Sequence, residues 1–427
     1  MNAVRKTMLA LLAAAFGVAC NVILGVDDLP RMRADGSDAQ LDHDASNGGG
    51  AGRLDSSFGD RGIATITMSA PLFQPALIVE GDAIRILATT ADGELVLVRC
   101  SNDGSCDTSH PTILWKGRDI TGFAVKDPTG GDLLIHMSTT VGEYHTIVQL
   151  LRLERDGGVE VLQREEYSNV VSVSDHGVVA SPSRIVMVQS ADLGPDGGQI
   201  QLRALLPDGG VDPHFGANGL AVSPIFAGVP LLTGSNMEQA GEVFVLFDDT
   251  QRRVSRWMRF LADGGRDTTF GSDGGIGESS ALSESEPLLA DDAGYVIGAR
   301  SSAVLVHVTR DGRVDLSRWD RGVFRFPSIA SSDEQPFVVG VNGLGRGPKE
   351  SVVVLASAHR LDGLRFLVLV RVGPDGLDRR FGNDGIVILG SGADAKPNTL
   401  AMQSDGKALV IWEQPNGSLK LARYIVE

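Results

Sequence analysis

The sequence predicts an all-β fold, a seven-bladed β-propeller built from four-stranded repeats of about 52 residues and preceded by a disordered tether. Three observations predict it. A short marker recurs along the chain, an apolar strand precedes each copy of it, and no stretch of ten residues outside the N-terminal leader shows helical periodicity.

The marker is clearest in four places: GRLDSSFGDRG from Gly52, GVDPHFGANG from Gly210, GRDTTFGSDGG from Gly265 and GLDRRFGNDG from Gly376. Each has an aspartate three residues before Phe-Gly. The residues are Asp55, Phe58 and Gly59; Asp212, Phe215 and Gly216; Asp267, Phe270 and Gly271; and Asp378, Phe381 and Gly382. Degenerate copies fall between them. Asp107 follows Asp103-Gly104, Glu160 follows Asp156-Gly157, and Asp315 follows Asp311-Gly312, with Trp319 in place of Phe after a one-residue slip. The phase residues 55, 107, 160, 212, 267, 315 and 378 define seven units that fill the chain from Leu54 to Glu427.

Each unit has the strands of a blade. An alternating apolar strand ending near a basic residue precedes the turn, as in ELVLVRC from Glu94, FLVLVRVG from Phe366 and SLKLARYIVE from Ser418. A second lies upstream (DAIRILATT from Asp82, KALVIWEQ from Lys407) and a third before that (QPALIVEG from Gln74). A fourth follows the marker, as in GIATITM from Gly62 and GIVILG from Gly385.

With its D-G-x-L-D-x-x-F-G-x-x-G pattern and this period, the chain resembles the delta-60 repeat of exported bacterial proteins. The resemblance implies a propeller-like array and carries no defined activity. The marker chemistry has a structural explanation of its own. Asp-Gly supplies a tight turn, the second aspartate accepts backbone N–H bonds, and the phenylalanine plugs neighbouring blades together. Calcium needs six to eight oxygens held together, more than the marker supplies, so no metal site and no cofactor is expected.

The first 51 residues read as export machinery. Arg5 and Lys6 precede an apolar run from Met8 to Ala19, too short to span a bilayer stably. Gly17-Val18-Ala19-Cys20 resembles the lipobox of bacterial lipoproteins, which makes 1–19 a signal peptide and Cys20 the lipidated residue. Plain cleavage of a secretory leader is the alternative. Residues 20–51 are acidic and glycine-rich, the composition of a flexible tether, and residues 52–427 form the propeller. Cys100 and Cys106 flank a turn, and an oxidising compartment favours a disulfide between them.

The formal net charge of −16 argues against nucleic acid and anionic lipid as partners. The eight histidines form no HxH, HExxH or HxxxH, and there is no P-loop or Gly-x-Ser-x-Gly, so no catalytic residue is assigned. The sixth unit is long, and its excess is placed at Val341–Glu350, a glycine-rich basic stretch read as an inserted loop. The expectation is a monomeric, lipid-anchored protein of the bacterial cell envelope, outer-membrane in location, on its periplasmic or surface face. Its propeller binds an envelope protein or glycan without catalysis. The alternative is a propeller hydrolase or lyase with its site in the central channel.

Overall fold

The computed structural model describes residues 51–427, apart from 129–132, 141–144, 155–156, 169–172, 239, 273–274, 283–284, 327–336, 360–364, 392–395 and 415. The leader, Cys20 and the tether to Gly50 lie outside the described residues.

Seven antiparallel sheets follow one another along the chain. Blades 1 to 6 span residues 72–116, 118–168, 173–222, 230–279, 285–325 and 337–391. Blade 7 takes three strands from the C-terminal end, Lys396–Met402, Ala408–Glu413 and Leu419–Ile425. Its outer strands, Arg53–Leu54 and Ile63–Ile66, come from the other end of the chain. The inner strands touch in sequence around the ring, and that of blade 7 returns to that of blade 1. This is a closed seven-bladed β-propeller. Among the described residues the only helical element is one 3₁₀ turn, Gly194–Asp196.

The strands are less amphipathic than alternation implies. In Glu94–Cys100, Val96, Leu97 and Val98 are all fully buried, because a blade is packed on both faces by its neighbours. The resulting cores lie between blades. One joins Ile84 and Val96 of blade 1 to Phe58, Leu409 and Leu421 of blade 7; another joins Val245 and Phe260 of blade 4 to Phe215 and Val188 of blade 3.

Two placements differ from the sequence reading. Each clear marker lies within a blade, between its third and outer strands; Gly210–Gly219, for instance, joins Gly198–Leu205 to Leu220–Val222. Val341–Glu350 is no inserted loop. Its residues to Arg346 belong to the inner strand of blade 6, Phe337–Arg346, and the remainder forms the following turn. The stretch is rich in glycine because blade 7 packs directly on it. A Cβ on Gly343 would stand 2.9 Å from Leu400 Cβ, and one on Gly345 would stand 2.5 Å from Met402 Cγ.

Candidate functional site

The turn after each marker aspartate is closed by one of its two carboxylate oxygens. Oδ1 accepts the N–H of Ser57 at 3.1 Å from Asp55, of His214 at 3.0 Å from Asp212, of Thr269 at 2.9 Å from Asp267 and of Arg380 at 3.1 Å from Asp378. The aspartate N–H donates to the third strand of its own blade, at Arg423, Ala204, Arg259 and Arg371. The same bond ties Asp107 to Arg99 and Asp315 to His307, so the degenerate copies share the register.

The other oxygen holds an arginine. Oδ2 accepts from Arg423 Nε at 2.9 Å (Asp55), Arg184 Nε at 2.7 Å (Asp212), Arg259 Nη2 at 2.7 Å (Asp267) and Arg371 Nη2 at 2.7 Å (Asp378). Each guanidinium lies 4.6–5.2 Å from the centroid of its own marker's phenylalanine, within cation–π range. Each also donates across the blade boundary, to the carbonyl of Asn102, Ala262, Arg310 or Val426.

The glycine completes the clasp. Gly59, Gly216 and Gly271 donate their N–H to the carbonyls of Asp103, Asp263 and Asp311 in the next blade's Asp-Gly turn, at 2.6, 2.6 and 2.7 Å. Gly382 donates to Ala51 at 3.1 Å, where Ala51-Gly52 takes the place of Asp-Gly. These marker glycines have φ between +52° and +82°, a region that strains other residues. Phe58, Phe215, Phe270 and Phe381 are at most 1% exposed. The marker is therefore a clasp between blades adjacent in space.

Burial opposes the charge on Asp55, but Ser57, Lys407 and Arg423 outweigh it and hold the carboxyl at about 2. For Asp212, Asp267 and Asp378 burial is likewise outweighed, by the turn N–H groups and the arginines, and their carboxyls lie below the ordinary range. Carboxylates held in this way stay ionised at neutral pH and do not serve as proton donors.

Blade 5 builds the clasp differently. His307 replaces the third-strand arginine, fully buried, with Nδ1 3.0 Å from Asp315 and Nε2 3.2 Å from Asp291. Arg318 Nη1 also reaches Asp291 at 3.0 Å. Trp319 stands at the position of the marker glycine, with φ +54°, and Arg318 stands where the phenylalanine would be. The indole donates to Gly373 O in blade 6 at 3.0 Å. In blade 2, Arg152 pairs with Asp127 at 2.8 Å and donates to Pro207 O in blade 3.

The arginine of the clasp was visible in the sequence only as a basic residue near the strand end. Its pairing was not, because Arg423 meets Asp55 across 368 residues and Arg184 comes from the second strand. Cys100 and Cys106 form a disulfide beside Asp103-Gly104, the turn that receives Gly59. His136 is fully buried in a strand of blade 2; the side chain of His145 lies outside the described residues.

Two further features could meet a ligand. A cleft of about 800 Å³ opens on the clasp face beside blade 6, lined in part by Lys349, Asp375, Arg379, Arg380 and Glu427. At the opposite end, every inner strand breaks register near its start, and that of blade 6 breaks it again farther along, at Asn342. The residues inserted near the starts are Gln74-Pro75, Asp119-Ile120, Asp175, Thr233, Glu286-Pro287, Val339 and Asn398, polar in six of the seven blades. Among the described residues no three His, Cys, Asp or Glu side chains group as metal ligands.

No protein-family description and no curated protein matches this sequence. Solved structures do resemble it in shape. A puromycin hydrolase has a TM-score of 0.45 at 15% identity over 80% of this chain, which spans 50% of that structure's length. A glucose dehydrogenase has a TM-score of 0.39 at 13% identity, covering 85% of this chain and 98% of its own. A subtype N10 neuraminidase-like protein of a little yellow-shouldered bat strain has a TM-score of 0.38 at 11% identity, with the same two coverages. The fold assignment stands on the blade topology itself.

Proposed function

We propose that this protein is an exported, lipid-anchored component of the bacterial cell envelope, tethered to the outer membrane through Cys20, whose propeller is a non-enzymatic binding scaffold of the delta-60 repeat kind. The observation that carries the scaffold reading is the clasp. The marker carboxylates, the most prominent motif of the sequence, are committed to arginines that lock one blade to the next. The chain thus spends its repeated chemistry on rigidity, and a rigid ring displays loops for an envelope protein or glycan. The Cys100–Cys106 disulfide supports export, since such bonds persist in oxidising compartments.

The anchor is tested by comparing wild type with Cys20→Ser in a bacterial host. The reading expects the mature wild-type chain to begin at Cys20, to carry the added mass of diacylglycerol and acyl groups, and to fractionate with membranes. Cys20→Ser should be released. A wild-type chain without added mass, or a variant that stays with the membrane, defeats the anchor.

A second reading, a hydrolase or lyase working in the central channel, is favoured by the polar residues that the seven inner-strand irregularities insert near one end of the ring. Turnover of generic esters or glycosides, abolished by Asp175→Asn or Glu286→Gln with folding intact, would replace the scaffold reading.

A further inference from the structure

Six of the seven blade junctions are covered on the clasp side. The glycine of the receiving turn is the gauge, because a neighbour from the preceding blade stands close to where its Cβ would be. The distance is 2.7 Å at Gly104, 2.5 Å at Gly264, 2.7 Å at Gly312 and 2.6 Å at Gly52, each to the N–H nitrogen of a marker glycine. Leu162 covers Gly209 at 3.2 Å, and Phe324 covers Gly376 at 3.6 Å. At Gly157, in the corresponding turn of blade 2 with φ +93°, no described atom stands within 4 Å.

The cause lies in blade 1. Its marker reads Asp107-Thr108-Ser109-His110-Pro111. The aspartate still closes its turn, accepting Ser109 Oγ at 2.9 Å and His110 N–H at 3.0 Å. But His110 stands where the phenylalanine belongs, and its side chain is 84% exposed. Pro111 stands where the glycine belongs. Proline has no N–H to donate, and its ring forbids the positive φ of the clasp.

The blade 2 wall of this junction is apolar and uncovered. Val159 and Val161 on the outer strand of blade 2 are 41% and 49% exposed, while Leu114 on the outer strand of blade 1 packs into the core that the two blades share. Glu160 lies 3.4 Å from Arg152, which reaches Pro207 of blade 3, so Val159 and Val161 alternate onto the face toward blade 1. That outer strand, Val159–Ser168, runs ten residues, against three for Leu220–Val222 and Val323–Arg325. It is the last strand of its sheet, and an extended edge strand is a place where a partner's backbone can pair.

We propose that the junction between blades 1 and 2 is an open socket that takes a Phe-Gly turn donated by a partner protein. The sibling junctions define the occupant: an aromatic ring slid between two blades, followed by a glycine with positive φ and a free N–H. A second copy of this chain does not supply it, because Phe58, Phe215, Phe270 and Phe381 are all seated in their own junctions. The inference rests on the reading of the propeller as a binding scaffold, to which it adds a partner class; it does not depend on the lipid anchor.

The probe is a fluorescein-labelled decapeptide of the chain's own blade 3 marker, GVDPHFGANG, titrated with the full-length protein and followed by anisotropy. Wild type should bind it at least tenfold more tightly than the same peptide carrying Phe215→Ser. Val159→Asp and Val161→Asp, both at exposed positions, should each weaken binding at least tenfold with an unchanged circular dichroism spectrum and Tm. The double substitution H110F/P111G restores a marker in cis; it should raise Tm by several degrees and weaken peptide binding at least tenfold. Equal affinity for the two peptides, or no binding of either, overturns the socket. So does an H110F/P111G protein whose Tm and peptide affinity both match wild type. Cys20 processing is unaffected by either result, so failure of the socket is distinguishable from failure of the anchored-scaffold reading.

Discussion

Phe215→Ala tests the clasp at its most buried atom set. The Phe215 ring is fully buried, and its Cδ1 stands 3.1 Å from where a Cβ on Gly264 of the next blade would be. The Arg184 guanidinium lies 5.1 Å from its centroid. Truncating a buried phenylalanine costs about 3–5 kcal/mol through lost transfer energy and the cavity left behind. The cation–π contact adds about 1 kcal/mol. A loss of about 4–6 kcal/mol is a large share of the roughly 5–15 kcal/mol that holds a typical domain together. Urea unfolding followed by circular dichroism at 222 nm and tryptophan fluorescence reads it as a lower midpoint. Leu316→Ala is the control: Leu316 follows the aspartate of the blade 5 marker, but its side chain is 71% exposed, so it should change stability by less than about 0.5 kcal/mol. If Phe215→Ala unfolds at the wild-type midpoint, the phenylalanine is no plug and the clasp account is wrong.

Two other outcomes follow from the same geometry. Asp55 is depressed from the ordinary 3.8 to about 2, so the unfolded chain binds its proton first as pH falls; its contribution is fully present above about pH 4 and is lost between pH 3.8 and 2. Asp55→Asn should therefore be less stable than wild type at pH 7, with the gap closing by pH 2; a gap of constant size would show that ionisation of Asp55 plays no part. At position 307, His307→Arg should be tolerated, because five other blades place an arginine at the equivalent third-strand position, Arg99, Arg152, Arg259, Arg371 and Arg423. His307→Leu leaves Asp315 without its imidazole partner and should cost about 3 kcal/mol; equal melting temperatures for the two variants would contradict the role given to the imidazole.

The architecture was legible because its signal is additive. One Asp-x-x-Phe-Gly says little, but seven phase residues at a regular period leave few folds, and each falls opposite the third strand where the geometry needs it. The disulfide was legible from two cysteines flanking a turn. The clasp was only half legible. Phe58 and its counterparts announce a plug by type and spacing, whereas their arginines sit at sequence distances from 7 to 368 residues from the aspartates they bind. The Val341–Glu350 stretch misled because glycine has two uses. It marks loops, and it also lets one strand lie flat against another, as Gly343 and Gly345 do under Leu400 and Met402. The open junction beside Gly157 could not be read from the chain, because Asp107 persists in a marker whose two functional residues have been replaced. That a position is empty is a fact about its neighbours in space.

The most direct test of the clasp is amide hydrogen exchange at the four marker glycines. If Gly59, Gly216, Gly271 and Gly382 each bond the next blade, their amides should exchange at least a hundredfold more slowly than unprotected backbone, as slowly as the outer strands beside them. Exchange at unprotected rates, with the third strands of the same blades still protected, would mean that the markers close turns within blades and do not join the ring.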